Sequence, residues 1–397
     1  MTRGKQNIIV VGAGPVGLAL ALQLLRAGRD VTVLEKRGSV NLQSKASTFH
    51  ASTLDLLETL GLLSQMRAGG VQIDHVQHRS GTGEVLAELD FSGLEGHVRN
   101  PFRLHYEQGQ LSLLLAEAVK AEGGRVMFDA GVASVHQRDD HAQVVLESGE
   151  ALEAALVFGC DGAQSAVRES QRIGYVEKPY PGMVLRLYAD MNMRSHLPGL
   201  GGIAYLYTEG GACSLLEMPD CWRVILRVPG HVPEAEAVTD DWVTANLAGL
   251  LPVGEVLPAI RGRDVYRARR RRALSAGAGR IYLAGDALHL TNTKGGMNMN
   301  AGIHDAFALA PAAHEALESG DLTPLEQAAW WRERVARLLL IPRTDENVAT
   351  GLARAQAIGE LARNPAAAEA YLVKQAMLDM LGGIPAGLVG SKGAPNG

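Results

Sequence analysis

Three acids stand where apolar runs of this chain end. Glu35 follows Val-Thr-Val-Leu, Asp161 follows Leu-Val-Phe-Gly-Cys, and Asp286 follows Ile-Tyr-Leu-Ala-Gly. A strip rich in glycine and small polar residues follows the third acid: Thr293, Lys294, Gly295, Gly296, Met297, Asn298, Met299 and Asn300. No Gly-x-Ser-x-Gly stretch and no Cys–His pair at a useful spacing accompanies them. Carboxylates at strand ends accept hydrogen bonds from sugar hydroxyls, and bare backbone N–H groups at a helix start receive phosphate. The chemistry these residues suit is the holding of a hydroxyl- and phosphate-rich cofactor.

The elements that must position them are legible. Ile8–Val11 and Val31–Leu34 are β-branched apolar runs of the kind buried on both faces of a parallel sheet. Leu18 to Leu25 reads as a helix ended by Ala27-Gly28. Between the first strand and the helix lies Gly12-x-Gly14-x-x-Gly17, with Pro15 and Val16 inside the motif. Gly12 permits the tight turn, Gly14 lets a pyrophosphate approach the backbone, and Gly17 lets the helix pack on the sheet. Glu35 lies 21 residues after Gly14, where a carboxylate meets ribose hydroxyls. This predicts a dinucleotide site and leaves open which dinucleotide. Lys36, Arg37 and Lys45 suit either the phosphates of FAD or a nicotinamide 2′-phosphate.

Taken in order and at this separation, the three segments resemble the class A flavoprotein monooxygenases, with the fold of para-hydroxybenzoate hydroxylase. The resemblance covers most of residues 6–345. It implies an α/β chain: a Rossmann-like FAD-binding domain (1–174 and 265–345), an inserted antiparallel-sheet substrate domain (175–264, with strands from about 72–105), and C-terminal helices with a loose tail (346–397). It implies that the Gly-rich motif holds the ADP part of FAD and that Asp161 lies near the flavin and nicotinamide sites. Asp286 then accepts ribityl hydroxyls, and the backbone around Gly296, Asn298, Met299 and Asn300 faces the flavin ring. "SKASTFHASTLDLLETLGLL" resembles a family segment with Lys45 in place of the usual Arg, and "HYEQGQLSLLLAEAVKAEGG" a helix headed by a cofactor-binding Gln, here Gln108.

The implied reaction consumes NADPH or NADH and O2. Reduced flavin forms a C4a-hydroperoxide that hydroxylates a phenolic or N-heteroaromatic small molecule. Same-fold alternatives are an epoxidase, a halogenase, a dehydrogenase, or a non-catalytic flavin-binding protein. Some positions depart from the family. Asn292 and Thr293 replace a proline pair. Asn298 replaces a frequent glycine, as the residue that best tolerates a left-handed backbone. Cys221 aligns with the arginine that holds a benzoate carboxylate. Arg223 and Arg227 share one strand face, turned either to substrate or to solvent. Tyr205 and Tyr207, with Trp222 nearby, are candidates for the pocket or for core packing. His50 is a candidate at the flavin ring, and His289 reads as structural. Arg269 to Arg272 read as a strand with a solvated face. No catalytic base is identified; the candidate catalytic residues are His50, Tyr205, Arg223 and Thr293.

Bulk properties exclude other classes. Of 397 residues, 47% are hydrophobic and 20% charged, with net charge −5 and no long run of either sign; a nucleic-acid binder usually carries a basic face, so that class is disfavoured. Three cysteines (Cys160, Cys213, Cys221) are too scattered for a disulfide framework or a zinc site, so no metal is expected. No signal peptide is expected, since the first apolar run leads into glycines, and no run reaches the ~18 apolar residues that a membrane span needs. A cytoplasmic monomer or homodimer is expected.

Overall fold

The computed structural model describes residues 7–43, 46–208, 211–348 and 351–390. The first part of the chain supplies β1 (Ile8–Val11), α1 (Pro15–Arg26), β2 (Val31–Leu34), β3 (His75–Ser80), β4 (Val85–Asp90), α2 (Gln108–Ala121), β5 (Arg125–Met127), β6 (Leu156–Gly159) and α3 (Ala166–Ser170). The middle supplies β7 (Tyr175–Pro179), β8 (Met183–Ala189), β9 (Ile203–Thr208), β10 (Gly211–Glu217), β11 (Trp222–Val228), β12 (Ile260–Tyr266) and β13 (Arg269–Ala273). Then follow β14 (Gly277–Ala278), β15 (Ile281–Leu283), α4 (Met297–Ser319), α5 (Thr323–Val335), α6 (Leu352–Ala362) and α7 (Pro365–Gln375).

One sheet runs β14-β15-β6-β1-β2-β5, parallel apart from the short β14 edge. Every residue of β1 and β2 is buried, as continuous apolar runs require. α1 and α4 pack against each other beside this sheet. A Cβ on Gly302 of α4 would stand 2.7 Å from Val16, so only a residue without one lets the two helix starts converge. The sequence that feeds this sheet comes from both ends of the family region, because β15 docks on β6 from more than a hundred residues away.

The second sheet runs β12-β8-β11-β10-β9-β3-β4. It is antiparallel except at β9 and β3, which pair in parallel since β3 arrives from a separate, earlier segment. Strand alternation gives it two unlike faces. On β11, Trp222, Val224, Leu226 and Val228 belong to an apolar core shared with β8 and β10. Arg223, Ile225 and Arg227 point the other way, toward the glycine-rich loop before α4.

β7 pairs with β13, and the four-arginine run is only partly solvated. Arg269 and Arg271 meet Glu177, Arg270 meets Asp345, and Arg272 meets Glu333. As far as residue 390, the tail is also more ordered than its composition predicts. Leu388 O accepts from Arg99 at 2.7 Å and Gly390 N donates to Asp55 at 3.2 Å, while Leu388 and Val389 pack on the main core.

Candidate active site

α1 begins at Gly14, whose side offers no capping group, so its first N–H groups face outward. A Cβ on Gly14 would meet nothing within 4 Å, whereas one on Gly17 would lie 2.2 Å from Gly12 O. One glycine leaves open space and the other allows close packing, as a phosphate-binding turn demands. Glu35 is buried at the end of β2. It accepts from Ala13 N at 2.9 Å and from Arg37 N at 3.1 Å, and pairs with the Arg37 guanidinium. It therefore fixes the turn while sitting at its rim; Lys36 is exposed beside it. Lys45 lies outside the described residues.

A second uncapped helix start lies across the cleft. α4 begins after Gly295 and Gly296, with φ of +90° and +65°. These two glycines, and not Asn298, take the left-handed conformation. Asn298 is already helical, and its role runs through its amide: Nδ2 donates to Asp286 Oδ1 at 2.7 Å, and Oδ1 lies 3.3 Å from His289 Nδ1. Asn300 is fully buried. It bonds His50 N, Thr48 O and Gly296 O, so its side chain is structural while the backbone near it stays available. His50 Nε2 donates to Gly295 O at 2.8 Å. Burial, with Arg103 adding to it, holds His50 neutral, well below the ordinary imidazole value. His50 thus braces the loop from behind; it does not line the cavity.

Asp161 accepts from Val167 N at 3.2 Å, and Ser165 caps α3 beside it. Its Oδ1 is buried without a partner, and burial raises its pKa despite the Ser165 and Val167 hydrogen bonds. Gln108 starts α2, its backbone N–H bonded to Ala46 O at 3.2 Å. Asp305 of α4, which no motif announces, anchors the whole region. It accepts from Gly285 N at 2.9 Å, His289 Nε2 at 2.9 Å and Arg332 Nε at 2.7 Å, all buried. Burial opposes these charges, and the ion pairs outweigh it: Asp305 is held below the carboxylate range and His289 above the imidazole value.

Between the loop and the second sheet lies an open cavity of about 970 Å³. Its wall carries Arg103, Arg186, Arg223, Arg227 and Lys294, with no Asp or Glu among the lining residues. Arg223 bonds Glu107 at 2.5 Å and Arg186 bonds Asp264, its cross-strand neighbour, at 2.5 Å; neither carboxylate is among the lining residues. Tyr205 and Thr293 line the cavity, and Thr293 Oγ1 lies 2.7 Å from Tyr266 OH. Tyr207 is buried one step away, bonded to His78 Nδ1 at 3.0 Å. Trp222 does not reach the cavity: it falls on the opposite face of β11, in the apolar core. Sequence reasoning passed over Lys294, Asp305, Arg103 and Arg332. Only the lysine carried a signal, as the lone charge in a strip of small residues.

Two uncapped helix starts, a glycine-lined cleft and a partnerless buried carboxylate oxygen fit a dinucleotide with two phosphates and polyol hydroxyls. Among the described residues no group of His, Cys, Asp or Glu is arranged to hold a metal, and no helix is long and apolar enough to cross a membrane. Fold and site together define a flavoprotein aromatic monooxygenase that uses FAD. The chain belongs to the FAD binding domain family, whose model matches residues 5–340. It is 30% identical over 356 residues to 6-hydroxy-3-succinoylpyridine 3-monooxygenase HspB of Pseudomonas putida, covering 87% of this chain and 88% of that one. It is 31% identical to dialkyldecalin synthase of Streptomyces rugosporus, over 77% of this chain but 64% of that longer protein. The crystal structure of p-nitrophenol 4-monooxygenase PnpA from Pseudomonas putida superposes with a TM-score of 0.85 at 24% identity, covering 94% of this chain and 97% of that one.

Proposed function

We propose that this protein hydroxylates a small phenolic or N-heteroaromatic ring that carries a negative charge or acquires one on binding. The observation that carries this reading is the cavity wall: four guanidinium groups and the Lys294 amine, with no carboxylate among the described lining residues. An anion entering there meets guanidinium groups already stripped of part of their water, where charge-assisted hydrogen bonds are strongest. Its relatives named for a hydroxy-succinoylpyridine and a nitrophenol act on hydroxylated or nitrated rings of this size.

Bound FAD, reduced by NAD(P)H, supplies the activated oxygen. The chain's residues do the rest. Gly12, Gly14 and Gly17 with Pro15 and Val16 shape the pyrophosphate turn, and Glu35, with Lys36 and Arg37 at the rim, meets the ribose. Asp161, Asp286 and Gln108 face the central part of the cofactor. The α4 start, from Gly296 through Met299 and Asn300, presents N–H groups and a partial positive charge to the ring edge. Arg227 and Arg223 orient the ring substrate, Tyr205 packs on it, and Thr293 with Tyr266 borders the entry. Residues 1–174 and 265–345 act as the cofactor-binding unit and 175–264 as the roof.

The test is a panel of hydroxylated benzoates, nitrophenols and hydroxypyridines, scored by stimulated NAD(P)H oxidation and product mass. An acidic aromatic should stimulate oxidation and gain one oxygen atom. Stimulation by neutral aromatics alone would overturn the charge assignment. A second reading, ring closure without oxygen transfer, draws on the similarity to dialkyldecalin synthase; a product isomeric with its substrate would favour it.

A further inference from the structure

Lys294 sits where a lysine is costly. Its Nζ is buried with no hydrogen-bond partner. It lies 6.0 Å and 5.9 Å from the ring centroids of Tyr205 and Tyr207. It also stands in the wall between two cavities. The first is the substrate cavity; the second, of about 280 Å³, is shared by Lys294, Gly295 and Tyr205 with His78, Arg354 and Tyr371. A buried ammonium without a counter-ion is strongly disfavoured unless the group is neutral or awaits a partner. Gly295 beside it takes a left-handed conformation, with φ of +90°.

We propose that Lys294 accepts the proton of the substrate's ring hydroxyl and passes it to solvent through the second cavity. This rests on the aromatic-hydroxylase reading above. In the step, the ring O–H bond breaks, its electron pair stays on oxygen, and an N–H bond forms on the Nζ lone pair. A neutral phenol and a neutral amine become a phenolate and an ammonium, so the cavity's net charge does not change. The phenolate is the electron-rich form that takes the activated oxygen supplied by the cofactor.

The surroundings favour the amine. Burial, then Arg227 on β11 and Arg354 on α6, push Lys294 down to about 7. Burial also disfavours charge on its titratable neighbours: it lowers His78 to about 3 and raises Tyr207, Tyr266 and Tyr371. Tyr205 lines both cavities beside it. Among the described residues no carboxylate borders either cavity to compete for the role.

The test uses FAD-loaded enzyme with 4-nitrophenol, whose phenolate absorbs visible light and whose phenol does not. Difference spectra are read across pH for wild type, Lys294→Met and Lys294→Arg. Wild type should bind it as phenolate at pH values where the free compound is mostly phenol. Lys294→Met should bind it as phenol, with product formation slowed roughly 10²–10⁴-fold, the usual worth of a general base. Lys294→Arg should keep the phenolate but lose the acidic limb near pH 7 in the rate profile. FAD content per chain checks that the variants fold. Equal phenolate fractions in wild type and Lys294→Met overturn the proposal and leave the hydroxylase reading intact. Failure of 4-nitrophenol and of every ring in the panel to bind or to stimulate NAD(P)H oxidation overturns both. Loss of FAD by both variants makes Lys294 structural and also overturns it.

Discussion

The two walls of the active-site cleft are built on opposite terms. On the cofactor side, nearly every polar side chain is spent on the protein itself: Asp305 on Gly285, His289 and Arg332, Asn300 on three backbone groups, Glu35 on its own turn. What remains for a ligand is mostly backbone, with Asp161 Oδ1 and Lys294 Nζ as the open side-chain atoms. On the sheet side, Arg227 faces the cavity with no carboxylate partner among the described residues. A surface that recognises through backbone must be rigid and is stabilised by its side chains. A surface that recognises through side chains must leave some of them unsatisfied, which costs stability and supplies function.

The difference is sharpest in stability. Asp305→Ala strips the partner from two buried cations and should destabilise the fold by about 3–5 kcal/mol, read by urea unfolding. The milder Asp305→Asn probes pH. His289 is raised, so its contribution is full below about 6.5 and fades as pH climbs through the raised value. Asp305 is lowered, so its contribution is full above about 3.9 and fades as pH falls. The stability gap between wild type and Asp305→Asn should therefore be widest from about pH 4 to 6.5. A flat gap would mean the ion pair is not what holds this side together.

Glu35→Ala comes next. It should leave the fold standing and weaken FAD by about 1.5–3 kcal/mol, one to two decades in Kd by flavin-fluorescence titration. Asn298→Ala removes the donor to Asp286 and should cost about 1 kcal/mol of FAD affinity. Asn298→Gly should be no better than alanine, because position 298 is helical; full affinity in that variant would restore a turn role for this residue. The smallest change in stability belongs to the sheet side. Arg227→Met should shift unfolding by less than about 0.5 kcal/mol, toward greater stability if at all, while KM for an acidic aromatic rises. A large loss of stability would erase the contrast between the walls.

The same contrast governs what the sequence discloses. β1, β2 and the turn between them are written in consecutive residues, since a strand buried on both faces must be apolar throughout. The sheet side is not written locally. Whether Arg223 or Trp222 faces the cavity depends on the phase of β11, which its neighbours β8 and β10 set. Trp222 was a reasonable candidate by type and fell on the wrong face for that reason. The left-handed positions were misplaced from Gly295–Gly296 to Asn298 because the loop departs from its family at several adjacent positions. The Asp305–Arg332 pair joins two helices and leaves no periodic or motif signal at all.

One feature of the parallel sheet reaches back to the ribosome. β15 inserts beside β6, so the turn at Gly12–Gly17 emerges first and waits for the loop at Gly295 and Gly296. Roughly 260 residues separate Glu35 from Asn298; at about 5–20 residues per second, that is on the order of ten seconds to a minute. In the binding mode proposed above, the nascent chain holds half a nucleotide cradle until α4 arrives, able to meet the adenosine end of a cofactor but not its ring. Free FAD present during synthesis can thus act as a template that α4 closes upon, and the yield of folded protein should follow flavin supply during translation more steeply than flavin added afterwards.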